Sequence, residues 1–353
     1  MKKNIYTQKN NNDYEIKKNY KFHKTPNFKY KQIITNKNFS GGANDIFEVY
    51  LSYKDNKEYI ASPNTRNSNV DIFILVKNQK LVSLKGHKID IRTIRYFINN
   101  KNYNEYLISA DCSKTVIVWD ITNNYNIKYI INNKYKDHIS SCLLMFPLNI
   151  NENYIITSSN CISDNIDISA TKIYSLNNGD YIKSINNSNN YYICYLLPWY
   201  NKKNNNYYVI ELAYKKIVIN NILENELYCK LIKEPESFHN SGFIFNKKNN
   251  DYLCCSSTNG YINIWDLYNK NIYKIINTNH CFLMHIINWN NKYIIVADLD
   301  NNSFKVFDIG IGELILNIKQ KSNVVSIKKI YHPIYGESLL SAARDNTIRL
   351  WHI

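Results

Sequence analysis

The stretch from Ser338 to Ile353 reads SLLSAARDNTIRLWHI. It holds a short apolar strand around Leu339 and Leu340, a polar turn at Ala343-Arg344-Asp345-Asn346, and a second strand from Thr347 to Trp351. Short apolar runs set off by Asp and Asn are the sequence form of paired β-strands.

The same unit recurs upstream. Its first strand opens as YIAS at Tyr59, YLIS at Tyr106, YIIT at Tyr154, YVIE at Tyr208, YLCC at Tyr252, YIIV at Tyr293 and SLLS at Ser338. Each is followed by a turn and a second strand, and these second strands end at Leu75, Trp119, Tyr174, Asn220, Trp265, Phe307 and Trp351. No helical period is sustained anywhere, so the chain reads as all-β.

A period of about 40–45 residues with paired strands and an aromatic ending is the repeat of a β-propeller. Over residues 28–353 the chain resembles the WD40 family. The residues that carry the resemblance are Gly86-His87 with Trp119-Asp120, then Trp265-Asp266, and Asp345 with Trp351. The resemblance implies a seven-bladed WD40 β-propeller and a hydrogen-bonded network of His, Ser or Thr, Asp and Trp inside the better blades. Matched residue by residue, the second repeat offers His87, Ser109 and Trp119, with Ser113 where Asp is usual. The fifth offers His239, Ser256 and Trp265, with Asn259 at the Asp position. The seventh offers Ser341, Asp345 and Trp351, with Asn323 where the His would be. These residues are expected to be structural.

A blade of this family has four strands, and the seventh repeat supplies only three before Ile353. An open edge there would be an aggregation hazard. The spare strand FKYKQIIT, Phe28 to Thr35, is therefore expected to pair antiparallel with Thr347–Ile353 and close the ring. Residues 1–27, basic and Asn-rich, read as a disordered tail ahead of a propeller over 28–353.

Spacing within the unit locates an insertion. From the opening residue to the start of the second strand the step is constant in the second, fifth and seventh repeats (Tyr106 to Thr115, Tyr252 to Tyr261, Ser338 to Thr347). The third, Tyr154 to Ala170, is longer, which places extra residues within Ser159–Ser169, and the first has a smaller excess around Pro63–Asn69. In the WD40 family this turn lies beside the mouth of the central channel, where partners commonly bind. Arg92, at the start of an inner strand, and Asp164 and Asp167, in the insertion, are the candidate partner-binding residues. Trp199-Tyr200 begins a turn on the opposite face and reads as packing under that loop more readily than as a second contact patch.

The net charge of +15 invites a nucleic-acid reading, but only five of the 44 basic residues are Arg (Arg66, Arg92, Arg95, Arg344, Arg349). Arg supplies the planar fork for base and phosphate recognition. Abundant Lys, Asn, Ile and Tyr point instead to an AT-rich coding sequence. The eight Cys show no metal-type spacing and read as small buried residues in a reducing compartment. No apolar run reaches the length of a signal peptide or a membrane span. Phosphate loops, zinc motifs and nucleophile elbows are absent from the sequence. The expected function is a non-catalytic scaffold or adaptor binding other proteins or peptides through the face with the insertion. The alternative is an RNA-associated subunit of a ribonucleoprotein using Lys-rich surface. Neither requires a cofactor or metal, and the expected location is intracellular, cytoplasmic before nuclear.

Overall fold

Leu107 and Ile108 are adjacent in the chain yet bury in different cores, one shared with the strands before them and one with the strands after. Successive strand residues point to opposite faces, so a strand apolar on both faces needs a neighbouring sheet on each side. A ring of radially arranged sheets meets that need for every unit. The structure is a computed structural model of the chain. It describes residues 29–35, 47–64, 67–77, 79–99, 102–112, 115–132, 138–145, 153–160, 170–186, 193–224, 227–232, 237–279, 282–345 and 347–352.

The described strands form seven four-stranded antiparallel sheets, the blades. Strand β1 (Lys29–Thr35) stands apart from its sequence neighbours. The first blade is β2 (Glu48–Leu51), β3 (Glu58–Asn64), β4 (Asn69–Ile74) and β5 (Gln79–Leu84). The second is β6 (Ile91–Ile98), β7 (Glu105–Asp111), β8 (Thr115–Asp120) and β9 (Asn126–Asn132). The third is β10 (His138–Met145), β11 (Tyr154–Asn160), β12 (Ala170–Ser175) and β13 (Tyr181–Asn186). The fourth is β14 (Ile193–Asn201), β15 (Asn206–Ala213), β16 (Lys216–Asn221) and β17 (Leu227–Ile232). The fifth is β18 (His239–Lys247), β19 (Asn250–Ser257), β20 (Tyr261–Asp266) and β21 (Asn271–Asn277). The sixth is β22 (Leu283–Trp289), β23 (Tyr293–Asp298), β24 (Ser303–Asp308) and β25 (Leu314–Lys319). The seventh is β26 (Val324–His332), β27 (Gly336–Ala343) and β28 (Thr347–His352), with β1 beside β28.

That last pairing runs antiparallel from Lys29 opposite His352 to Thr35 opposite Thr347, with a bulge between Gln32 and Ile34. The two ends of the described chain thus share one sheet. Residues 1–27 lie outside the described residues, as does most of the insertion, residues 161–169. The excess in the first blade lengthens a hairpin: Pro63 pairs with Val70 and Asn64 with Asn69.

Seven apolar clusters fill the seven spaces between blades. Where the last blade meets the first, Phe47, Ile60, Phe73 and Leu75 pack against Val325, Ile330, Leu340, Ala342, Ile348 and Leu350. Burying a large aliphatic or aromatic side chain contributes about 1.5–3 kcal/mol, so each junction outweighs any single polar contact. In every inner strand from β6 to β26 a bulge follows the first paired residue, or the second in β10, at Arg92, Ser140, Cys194, Asn240, Met284 and Val325. A bulge bends the strand and re-aims its side chain.

Candidate functional site

Strands of a blade alternate in direction, so the turns within each blade divide between two faces. The turns between second and third strands, and the connections into each inner strand, share one face. The turns from first to second and from third to fourth strands share the other.

On the first face the second blade holds a polar network. Gly86 precedes it because a Cβ there would lie 2.9 Å from both Ile117 Cδ1 and Trp119 Cη2. Trp119 Nε1 donates to Ser109 Oγ at 2.8 Å, and Ser109 Oγ lies 2.6 Å from His87 Nε2. His87 Nδ1 lies 2.9 Å from Asp111 Oδ2. With the ring proton on Nδ1, each donor meets an acceptor in the order Trp119, Ser109, His87, Asp111. Asp111 Oδ1 also accepts from the Thr115 backbone N–H at 3.1 Å, fixing the start of β8. The carboxylate therefore comes from the end of β7, two residues before Ser113, which lies outside the described residues. Sequence matching missed it because the usual Asp belongs to the turn.

Arg92 is the bulged residue of β6 on this same face, half-buried, and its Nε donates to Cys112 Sγ. Burial pushes the Cys112 thiol up, against the opposing pull of Arg92. Asp164 and Asp167 lie outside the described residues.

The family description "WD domain, G-beta repeat" matches residues 78–120, which span β5 of the first blade's sheet through β8, including the network just described. With the seven blades around it, this one matched repeat supports a WD40-repeat family for the chain. No curated protein matches it.

Across this WD40 propeller the network is rebuilt from blade to blade. In the fifth blade the position of Ser109 is held by Cys255, not by Ser256. Cys255 Sγ lies 3.8 Å from His239 Nδ1, while Ser256 donates to the Ser241 carbonyl at 3.3 Å. Trp265 Nε1 consequently has no hydrogen-bond partner among the described residues. Asn259 bonds locally with Ser257. In the seventh blade Trp351 Nε1 donates to Ser341 Oγ at 2.7 Å, and Gln320 Nε2 donates to the same oxygen at 2.8 Å. Gln320, not Asn323, fills the histidine's place; Asn323 donates to the Leu299 carbonyl. Arg349 Nη1 reaches Gln320 Oε1 at 2.9 Å and Nη2 bonds Asp345, so the carboxylate joins through an arginine. Burial raises the Asp345 carboxyl, but hydrogen bonds from Arg349 and Thr347 bring it below the usual range. Asp120 and Asp266 cap the outer turns: Asp120 accepts from the Asn123 N–H, and Asp266 from those of Tyr268 and Asn269.

On the opposite face Trp199 is buried against Tyr208, Tyr228 and Tyr268, with ring centroids 5.0, 5.6 and 5.8 Å away. Its Nε1 donates to Asp251 Oδ2 at 3.1 Å. The aromatic residues under this turn are packing, as the sequence suggested for Trp199. Among the described residues no group of three or more His, Cys, Asp or Glu could hold a metal, and no helix is long and apolar enough to cross a membrane.

Proposed function

We propose that this propeller is a platform for protein assembly, with the face bearing Arg92 and the Ser159–Ser169 segment as its contact surface. WD40 propellers generally serve as protein-interaction scaffolds and are typically non-catalytic. The observation that carries the choice of face is the bulge at Arg92. It sets one of five arginines at the entrance of an inner strand, where Cys112 limits its freedom. Arg is enriched at interface hot spots, and a side chain already ordered loses less entropy on binding. Asp164 and Asp167 add acidic groups to the same contact surface in this reading.

Affinity purification of the tagged chain from its own cells tests the assignment. Arg92→Glu combined with deletion of Asn160–Ile168 should remove the captured partners while leaving the thermal midpoint nearly unchanged. An unaltered partner set sinks the choice of face.

A further inference from the structure

The first-to-second-strand turns of the fourth, fifth and sixth blades lie side by side on the face opposite Arg92. They read Asn201-Lys202-Lys203-Asn204-Asn205-Asn206, Lys247-Lys248-Asn249-Asn250 and Asn290-Asn291-Lys292, without one carboxylate. Lys270, from the outer turn of the fifth blade, joins them. None of these six lysines makes an ion pair among the described residues. Asp251 and Asp266 nearby are buried and engaged with protein donors. The exposed carboxylates Glu224 and Glu313 and the half-buried Asp308 belong to the outer turns of the fourth and sixth blades, and the exposed Glu337 of the seventh blade, which accepts from Asn290 of the sixth-blade turn, is paired with Lys329.

Two features separate this patch from an accident of a Lys-rich chain. The charges are laid on a fixed aromatic shelf: Lys203 Nζ sits 3.7 Å from the Tyr268 ring centroid and Lys270 Nζ 4.1 Å from that of Tyr228. Both rings pack on Trp199, and the Tyr268 hydroxyl is held by Asp251 at 2.8 Å. In addition, Lys248 (φ 51°) and Lys270 (φ 58°) occupy left-handed backbone positions. Asn takes that conformation more readily, and this chain uses Asn for the neighbouring turn residues Asn205, Asn249, Asn290 and Asn291. Lysine stands at two strained positions where the commoner choice was at hand.

We infer that this basic face docks an acidic segment of a protein partner, an extended stretch rich in Asp and Glu; the inference rests on the platform reading and adds a second surface to it. Nucleic acid is the lesser fit. Single-stranded nucleic acid needs open aromatic faces for stacking, and Tyr268 and Tyr228 are roofed by lysines. Base reading needs arginine forks, and these turns contain none. Ammonium groups held in place meet carboxylates with little ordering left to do.

The test uses the full chain and a fluorescent peptide of alternating Glu and Gly, followed by anisotropy at low and moderate salt. Lys203→Glu, Lys248→Glu and Lys292→Glu together should weaken binding about tenfold or more. A control of equal charge change, Lys77→Glu, Lys88→Glu and Lys128→Glu, should keep most of the affinity, and both should melt like the parent. No binding by the parent, or equal loss in the two variants, overturns the proposal. Tighter binding of oligouridine than of a peptide of equal charge, abolished by the same reversal, overturns it in favour of nucleic acid. The contact-face assignment fails separately: partners that survive the change at Arg92 but need Lys203, Lys248 and Lys292 remove that assignment and leave this one standing. Partners lost only with Arg92 do the reverse.

Discussion

Ser52, at the foot of the first blade, donates its hydroxyl to Glu105 of the second, Oγ to Oε2 at 2.9 Å. Tyr53 N–H and Tyr96 OH reach the other oxygen of the same buried carboxylate. The arrangement recurs at the same position, immediately ahead of the repeat openings at Tyr106, Tyr252 and Ser338. Asp251 receives Trp199 of the fourth blade, and Glu337 receives Asn290 of the sixth at 3.2 Å. Each carboxylate ties its blade to the one before. In the first blade the residue is Glu58, and its buried Oε2 has no hydrogen-bond partner among the described residues.

Removing such a tie should be felt. Asp251→Ala deletes acceptors for Trp199, Tyr268 and Asn246 and leaves the buried indole N–H unpaired. Bonds to a charged group contribute about 1.5–3 kcal/mol, and an orphaned buried donor costs about 1–3 kcal/mol. Denaturant unfolding should show a loss of about 2–4 kcal/mol; a loss within error would show that the tie is incidental.

The Glu58 carboxyl behaves oppositely with pH. Desolvation pushes it from 4.5 up to about 7, so the folded chain binds this proton more tightly than the unfolded chain. Its contribution is full below 4.5 and is lost as pH rises to about 7. Asp251 has the reverse sign. Burial raises it, hydrogen bonds from Asn246, Trp199 and Tyr268 outweigh that, and its lowered value gives stability that is lost only in acid. Glu58→Gln should therefore raise the denaturation midpoint at pH 8 and flatten its decline between pH 5 and 7. An unchanged pH profile refutes the assignment.

The rebuilt networks predict a stabilising substitution. Cys255→Ser puts a hydroxyl where Ser109 and Ser341 stand, within reach of the Trp265 indole N–H that lacks a partner. It should gain about 1 kcal/mol. Ser109→Ala should lose about 2–3 kcal/mol by orphaning Trp119 and one nitrogen of His87. Paired denaturation curves decide it, and a destabilised Cys255→Ser protein would show that the fifth blade has no room for the network.

The strand pairs were legible because their residues are buried on both faces: every residue of β7 is buried, with Tyr106-Leu107-Ile108 as its apolar start, and β8 follows with Val116-Ile117-Val118 before Trp119. The spare strand was legible as Phe28–Thr35, and the pairing is found over Lys29–Thr35. Network membership was less so. Asp111 and Gln320 are chosen by which side chain reaches across a blade, and a fixed offset from the tryptophan does not encode that, whereas Cys255 stands ten residues before Trp265 as Ser109 and Ser341 stand before their tryptophans. The blade ties did leave a signal, an acid ahead of Tyr59, Tyr106, Tyr252 and Ser338. The basic face was hidden in a net charge whose amount says little; its information lies in which turns carry the lysines.

A rigid platform requires a ring whose ends are held together, and here that is the pairing of β1 with β28. Two truncations, lacking residues 1–27 and 1–36, differ only by this strand and the residue on either side of it. Thermal unfolding should place the first within about 2 °C of the full chain. The second should melt about 10 °C lower or more, or fail to stay monomeric, because it exposes the edge of β28. Equal melting of the two would contradict closure by β1.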